Sequence, residues 1–128
     1  MNIGEVAARS GVSARMVRHY EVLGLLPVVA RSAAGYRRYG EREVHVLRFI
    51  RRARDLGFAM KEIADLLALW QTPDRASGDV KQIALAHVAD LERRIAEMTE
   101  MKRALAQLAE CCHGDERPDC PILDGLAG

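Results

Sequence analysis

From Asp79 to about Glu110 the chain contains no glycine and no proline, and its apolar residues recur at Val88, Leu91, Ile95, Met98, Leu105, Ala109 and Cys112. The steps alternate between three and four, and one seam position is taken by Lys102, beside Met101. That spacing is the stripe of a long amphipathic helix, which at 1.5 Å per residue would extend about 48 Å. A lone helix cannot bury its own stripe. It must either pair with the same helix of a second chain, making a homodimer, or fold back on the rest of its own chain, and the length favours pairing.

The residues before the stripe must then supply a small domain. Of 128 residues, 49% are hydrophobic but only 5% aromatic, so the core has to come from Ala, Leu, Val, Ile and Met in a mainly α fold. No run of 18 apolar residues is present, which predicts no membrane span. Met1 to Glu5 lack the charged and apolar regions of a signal peptide, which predicts a cytoplasmic location. There the thiols would stay reduced, and an odd set of three cysteines argues against a disulfide framework. The formal net charge of +1 hides an asymmetry. Residues 1–60 hold 11 arginines against 5 acidic residues, whereas residues 61–128 hold 8 basic against 13 acidic ones. A basic N-terminal half is the footprint of a polyanion-binding module.

Ile3, Val6 and Ala7 follow helical spacing, Ser10-Gly11-Val12 breaks it, and Ser13 is placed to cap a second helix. Val12, Val17, Tyr20 and Leu23 give that helix a buried side, with Gly24 at its end. Ser13, Ala14, Arg15, Arg18 and His19 lie mostly opposite. Small residues at a helix start with arginines on its free face suit the DNA major groove. Next, Leu26 to Arg31 and Gly35 to Tyr39 read as two short strands of a hairpin. Arg31, Arg37 and Arg38 interleave there with Tyr36 and Tyr39, so the hairpin can lie along the phosphate backbone as a wing. The alternative is a solvated hairpin with Tyr39 packed inward.

Glu41 to Leu56 predicts a helix with Val44, Leu47, Ile50 and Ala53 inward and Arg48, Arg51, Arg52 and Arg54 outward, stopped by Gly57. Met60 to Trp70 predicts another, with Ile63, Leu66, Leu67 and Trp70 buried, ended by Thr72-Pro73. The expected organisation is a DNA-binding domain over 1–72, a linker over 73–78, a dimerisation helix over 79–110 and a cysteine loop with tail over 111–128. A symmetric pair would double the reading head and match a palindromic site on double-stranded DNA.

Several motifs together resemble the MerR family of transcription activators. They are the opening I-G-E-V-A-A-R-S-G-V-S, the R-H-Y-E-x-x-G-L-L run from Arg18, the R-x-x-x-G-Y-R-x-Y wing pattern from Arg31 to Tyr39, and R-A-R-D-L-G-F before the fourth helix. The resemblance covers nearly the whole chain. It implies a winged helix-turn-helix domain, a dimerisation helix that pairs antiparallel as a coiled coil, and an effector site near that helix's end. It also implies that Arg18, Tyr20, Arg31, Tyr36, Arg37 and Tyr39 meet DNA, with Arg15 a further contact, and that RNA polymerase is engaged at the promoter. The tail is similar to the copper-responsive subgroup, the CueR-like and HmrR-like regulators. In that subgroup two metal-binding cysteines in a C-x7-C loop match Cys112 and Cys120, and a serine at the start of the dimerisation region matches Ser77. Relatives that sense divalent ions generally carry cysteine there. Cys111 is an extra thiol, and the chain lacks the further Cys and His residues that some copper sensors carry.

Coordination counting points the same way. A structural zinc site takes four ligands, whereas the loop offers two thiolates, with His113 and Cys111 as uncertain extras. Soft thiolates in low coordination favour Cu(I), or the related Ag(I) and Au(I). A short helix starting at Pro121 and closed by Gly125 after Asp124 would put Cys120 at a positive helix end, where anionic sulfur is favoured. Lys81, at the start of the partner's helix in an antiparallel pair, is a candidate cation beside the site. Other readings stay open: a zinc site recruiting His113 and a partner ligand, a Cys112–Cys120 redox switch, and, weakest, an enzyme with Cys112 as nucleophile.

Overall fold

The first helix, α1 (Ile3–Ser10), begins where the Asn2 side chain accepts the backbone N–H of Glu5 at 2.8 Å. The remaining helices are α2 (Ala14–Val22), α3 (Glu41–Asp55), α4 (Met60–Trp70), α5 (Ser77–Cys111) and α6 (Pro121–Ala127). The computed structural model describes residues 1–26, 35 and 38–128, so most of the expected hairpin lies outside the described residues. The chain divides into two compact units, Met1–Ile83 and Ala84–Gly128.

In the first unit the caps follow the sequence. Ser13 accepts the N–H of Met16 at 3.2 Å and starts α2. Glu43 and Glu62 reach back from the third position of their helices to accept the amides of Gly40 and Ala59, at 2.8 and 2.9 Å. Helix α4 ends where Thr72 donates its hydroxyl to the Ala68 carbonyl at 2.7 Å, just before Pro73. Between α1 and α2, Gly11 has φ +74° and donates its N–H to Ala7 O at 3.0 Å, while buried Ser10 accepts the N–H of Val12 at 3.2 Å. A β-carbon on Gly11 would collide with the guanidinium of Arg51. The guanidinium could swing aside, but the left-handed backbone cannot be relieved that way.

Helix α1 packs on α2 and α3, and α3 packs on α4. Val6, Val17, Val44, Leu47, Ile50 and Ile63 are wholly covered, and Val12, Tyr20, Leu26, Tyr39, Val46, Ala53 and Leu67 complete the core. Three expected core positions differ. Leu23 is 49% exposed because α2 has ended at Val22 and Leu23 projects beyond the packed turn. Trp70 is 42% exposed: it is the last residue of α4, and its ring lies on Phe49 with centroids 4.7 Å apart and planes 9° from parallel. Leu66 is half-buried.

Helix α5 starts at Ser77, two residues before the expected point. Gly78 sits in its first turn, where amides lack intrahelical partners anyway, so the glycine does not break it. Along this helix Val88, Ile95, Met98 and Leu105 of the seam are exposed, as are Leu85 and Met101 beside it. Each such side chain contributes about 1.5–3 kcal/mol when fully buried. Asp90 pairs with Arg93 and, at 2.8 Å, with Arg94, while Arg93 also meets Glu97 at 3.4 Å. A hydrogen bond from Arg93 is the main cause that holds the Asp90 carboxyl below its usual range.

Replacing Gly11 with Ala should lower unfolding stability by about 1–2 kcal/mol, the cost of a left-handed residue bearing a β-carbon. Gly11→Asn should cost less, since Asn tolerates that region better. Calorimetric unfolding of the three proteins measures the order, and equal midpoints for the Ala variant and the parent would count against this account of the turn.

Candidate DNA-reading face and metal loop

Helix α2 presents Arg15, Arg18 and His19 to solvent while Val17 and Tyr20 face the core. Periodicity alone produces this division: positions 17 and 20 are three apart on one side, and 15, 18 and 19 fall on the other. Among the described residues neither Arg15 nor Arg18 has a hydrogen-bond or ion-pair partner, so both guanidinium groups are available to an incoming polyanion.

The structure places Tyr20 and Tyr39 differently from a pair of exposed DNA contacts. Each is only 3% exposed. Tyr39 donates its hydroxyl to the Glu21 carboxylate near the end of α2, and its backbone exchanges two hydrogen bonds with Met1, both 2.7 Å. Its hydroxyl thus fastens the chain entering α3 to α2, and its backbone fastens it to Met1 just ahead of α1, which is the inward packing weighed above as the alternative. Tyr20 takes the buried position that its helical spacing assigned. Arg31, Tyr36 and Arg37 lie outside the described residues, and Arg38 is exposed.

The arginines of α3 are not equivalent. Arg48 donates through Nε at 3.1 Å and Nη2 at 2.8 Å to the carbonyl of Arg9, one of the terminal carbonyls that α1 leaves unsatisfied. Arg9 itself pairs with Glu41, with Nη2–Oε2 at 2.9 Å. The hydrogen bond from Arg9 is the leading cause that keeps the Glu41 carboxyl below its usual range and raises the Arg9 guanidinium. Sequence reasoning missed these two links. They join residues 39 and 32 positions apart, and no local pattern marks them.

In the second unit, Cys111 closes α5, and the amide of Cys112 still donates to Ala109 O at 3.1 Å. Residues 113–119 form an exposed loop in which Asp115 accepts the backbone N–H of Arg117 at 2.9 Å and its Nε at 2.8 Å. Cys120 then occupies the N-cap position of α6, its carbonyl accepting the N–H of Asp124 at 3.0 Å. Pro121 takes the first helical position as expected. Gly125 does not end the helix, which continues to Ala127. It is instead a point of close approach: a β-carbon there would meet Leu108 Cδ2 at 2.8 Å and Cδ1 at 3.0 Å. Absence of a side chain lets α6 lie down on the last turns of α5.

The three thiols are unbonded and unequal. Cys112 and Cys120 are half-buried, whereas Cys111 is exposed. Among the described residues no group of three or more His, Cys, Asp or Glu side chains is gathered to hold a metal ion. Ser77 opens α5, and Ser77 and Lys81 are both exposed.

Residues 1–69 match the family described as MerR HTH family regulatory protein, and residues 44–108 match that described as MerR, DNA binding. The chain belongs to the MerR family. It is 56% identical over 127 residues to heavy metal-dependent transcription regulator 2 of Rhizobium meliloti (strain 1021), covering 99% of this chain and 86% of the relative. To the HTH-type transcriptional regulator CueR of Salmonella typhimurium it is 42% identical over 128 residues, covering 100% and 93%. Among solved structures it resembles the transcription regulator PbrR691 from Ralstonia metallidurans CH34 in complex with lead(II). That match has a TM-score of 0.86 at 35% identity and covers 98% of both chains. These MerR-family relatives are transcription regulators and not enzymes, and no helix described in this chain is long and apolar enough to cross a membrane.

Gly125→Val should force α6 away from Leu108. Amide exchange over Leu123–Ala127 is expected to accelerate by about tenfold, the equivalent of 1.4 kcal/mol within the usual range for overpacking. Unchanged exchange would mean that the contact does not hold α6.

Proposed function

We propose that this protein is a Cu(I)-responsive transcription activator that works in the cytoplasm as a homodimer, on promoters of copper efflux and detoxification. The observation that carries this reading is the pairing of two half-buried thiols, Cys112 and Cys120, at the two ends of one seven-residue loop, with Cys111 left exposed. Two thiolates around a monovalent ion leave a net charge of −1, as three around a divalent ion also would, so donor number and not charge favours the monovalent ion: two soft sulfurs suit the low coordination of Cu(I) and are too few for a four-coordinate divalent site. Ser77, where divalent-ion sensors of the family generally have cysteine, supports the same choice, and Ag(I) and Au(I) fit the same donor set. The lead(II) complex of PbrR691 makes a divalent ion the competing reading.

The exposed α5 stripe supports antiparallel pairing with a second copy. Lys81 of the partner is then a candidate cation beside the −1 site. The dimer would hold a promoter with an overlong spacer, and metal would favour the conformation that bends and undertwists it for RNA polymerase. Smooth deformation of DNA costs about 1–6 kcal/mol. Metal can drive it only by binding the activating conformation more tightly than the repressing one. Because thiolates, not thiols, ligate the ion, binding releases protons and strengthens with rising pH.

Cu(I) or Ag(I), buffered by a competing chelator under reducing conditions, should raise transcription from the bound promoter. Cys112→Ser and Cys120→Ser should abolish the response without loss of DNA binding, and Cys111→Ser should nearly preserve it. A response to peroxide, zinc or lead(II) but not to Cu(I) overturns the copper reading. On the DNA side, Arg37→Ala should weaken binding to all sequences and lower the slope of log K against log salt by about one, as for a lost phosphate contact.

A further inference from the structure

We infer that Arg48 is a positioning residue for DNA recognition: it fixes the end of α1 against α3 and so sets the angle at which α2 is presented, without itself touching DNA. The inference rests on α2 being the reading helix.

Both donors that Arg48 uses converge on one oxygen, the Arg9 carbonyl, at 3.1 and 2.8 Å. That carbonyl belongs to the last turn of α1, two residues before Gly11 reverses the chain into α2. A cation at this point answers both the unsatisfied acceptor and the negative end of the helix dipole. The next turn of α3 continues the contact, since Arg51 lies against Gly11 itself. Below them, Val6 of α1, Val17 of α2 and Leu47 and Ile50 of α3 are wholly buried and meet in the same core. Apolar packing holds the three helices together but is non-directional. The two hydrogen bonds of Arg48 are directional, and they act at the short turn joining the two helices. Arg48 therefore differs from Arg15 and Arg18, whose guanidinium groups point to solvent with no protein partner among the described residues.

The role separates cleanly from a phosphate contact by substitution with glutamine. Its Nε2 stands as many bonds from Cα as the Nε of arginine, the atom already donating at 3.1 Å, so Arg48→Gln keeps a donor for the Arg9 carbonyl while removing the charge. The probe is a duplex selected by the full-length parent protein from a random-sequence pool, with mixed-sequence duplex as the non-specific reference. Failure of the parent to select any duplex would sink the DNA-reading function itself, not the role of Arg48. Given selection, Arg48→Ala should lose about tenfold in affinity for the selected duplex, and Arg48→Gln less than threefold. In both, the salt slope and the affinity for mixed-sequence duplex should stay at parental values. A salt slope reduced by about 0.9 in both variants, with non-specific binding weakened alike, would make Arg48 a direct phosphate contact and overturn the inference. Parental affinity in Arg48→Ala would overturn it too. If Arg48→Ala does not fold, Arg48→Gln decides alone: retained selectivity at parental slope upholds the role, and loss of either overturns it.

Discussion

Helix α3 is the part of the first unit against which the rest is arranged. Its inner face, Val44, Leu47, Ile50 and Ala53, is covered by α1 on one side and α4 on the other, and three of those four side chains have no exposed surface at all. Its polar side is equally committed, through Glu43 to the Gly40 amide, Glu41 to Arg9, and Arg48 to the Arg9 carbonyl. Of these, the apolar contacts supply most of the stability, since exposed ion pairs contribute little. The polar contacts supply direction. Helix α2 makes few decisions of its own: its start is set by Ser13, its approach by Gly11, and its underside by Val17 and Tyr20 on the shared core.

A second division of labour appears along α5. Its exposed apolar stripe and its acidic and basic side chains sit on one continuous helix. At the far end the helix gives way to the thiol loop, which is closed by a short helix seated on Leu108 through Gly125. That seat ties Cys120 to a rigid element, while Cys112 is tied to the last turn of α5 by its amide. Both cysteines are thus held at the end of α5, Cys112 through its own amide and Cys120 through the short helix seated on Leu108, with the exposed loop between them.

Much of this was legible in the sequence, because local rules govern it. The Ser10-Gly11-Val12 break, the Ser13 cap, the inward face of α3 and the helical start at Pro121 all follow from spacing and capping chemistry. The features that the sequence left unread share a physical cause, namely that they depend on what lies opposite. Trp70 has the right period for burial but ends its helix, and beyond its stack on Phe49 it stays partly exposed. Tyr39 has the chemistry of a phosphate contact, yet Glu21 and Met1 claim it. Gly125 looks like a stop signal until Leu108 is seen above it. Arg48 resembles the other outward arginines of α3, and only the fold brings the Arg9 carbonyl to it.

The exposed arginines of α2 have a consequence for how such a protein changes over generations. Arg15 and Arg18 stand on a frame maintained by other residues, and they hold up nothing in the fold themselves. If α2 reads DNA as inferred, substitutions there would alter which operator is preferred while leaving folding stability nearly untouched. On that reading a duplicated copy would be able to drift toward new target sites through these positions alone, with its scaffold intact.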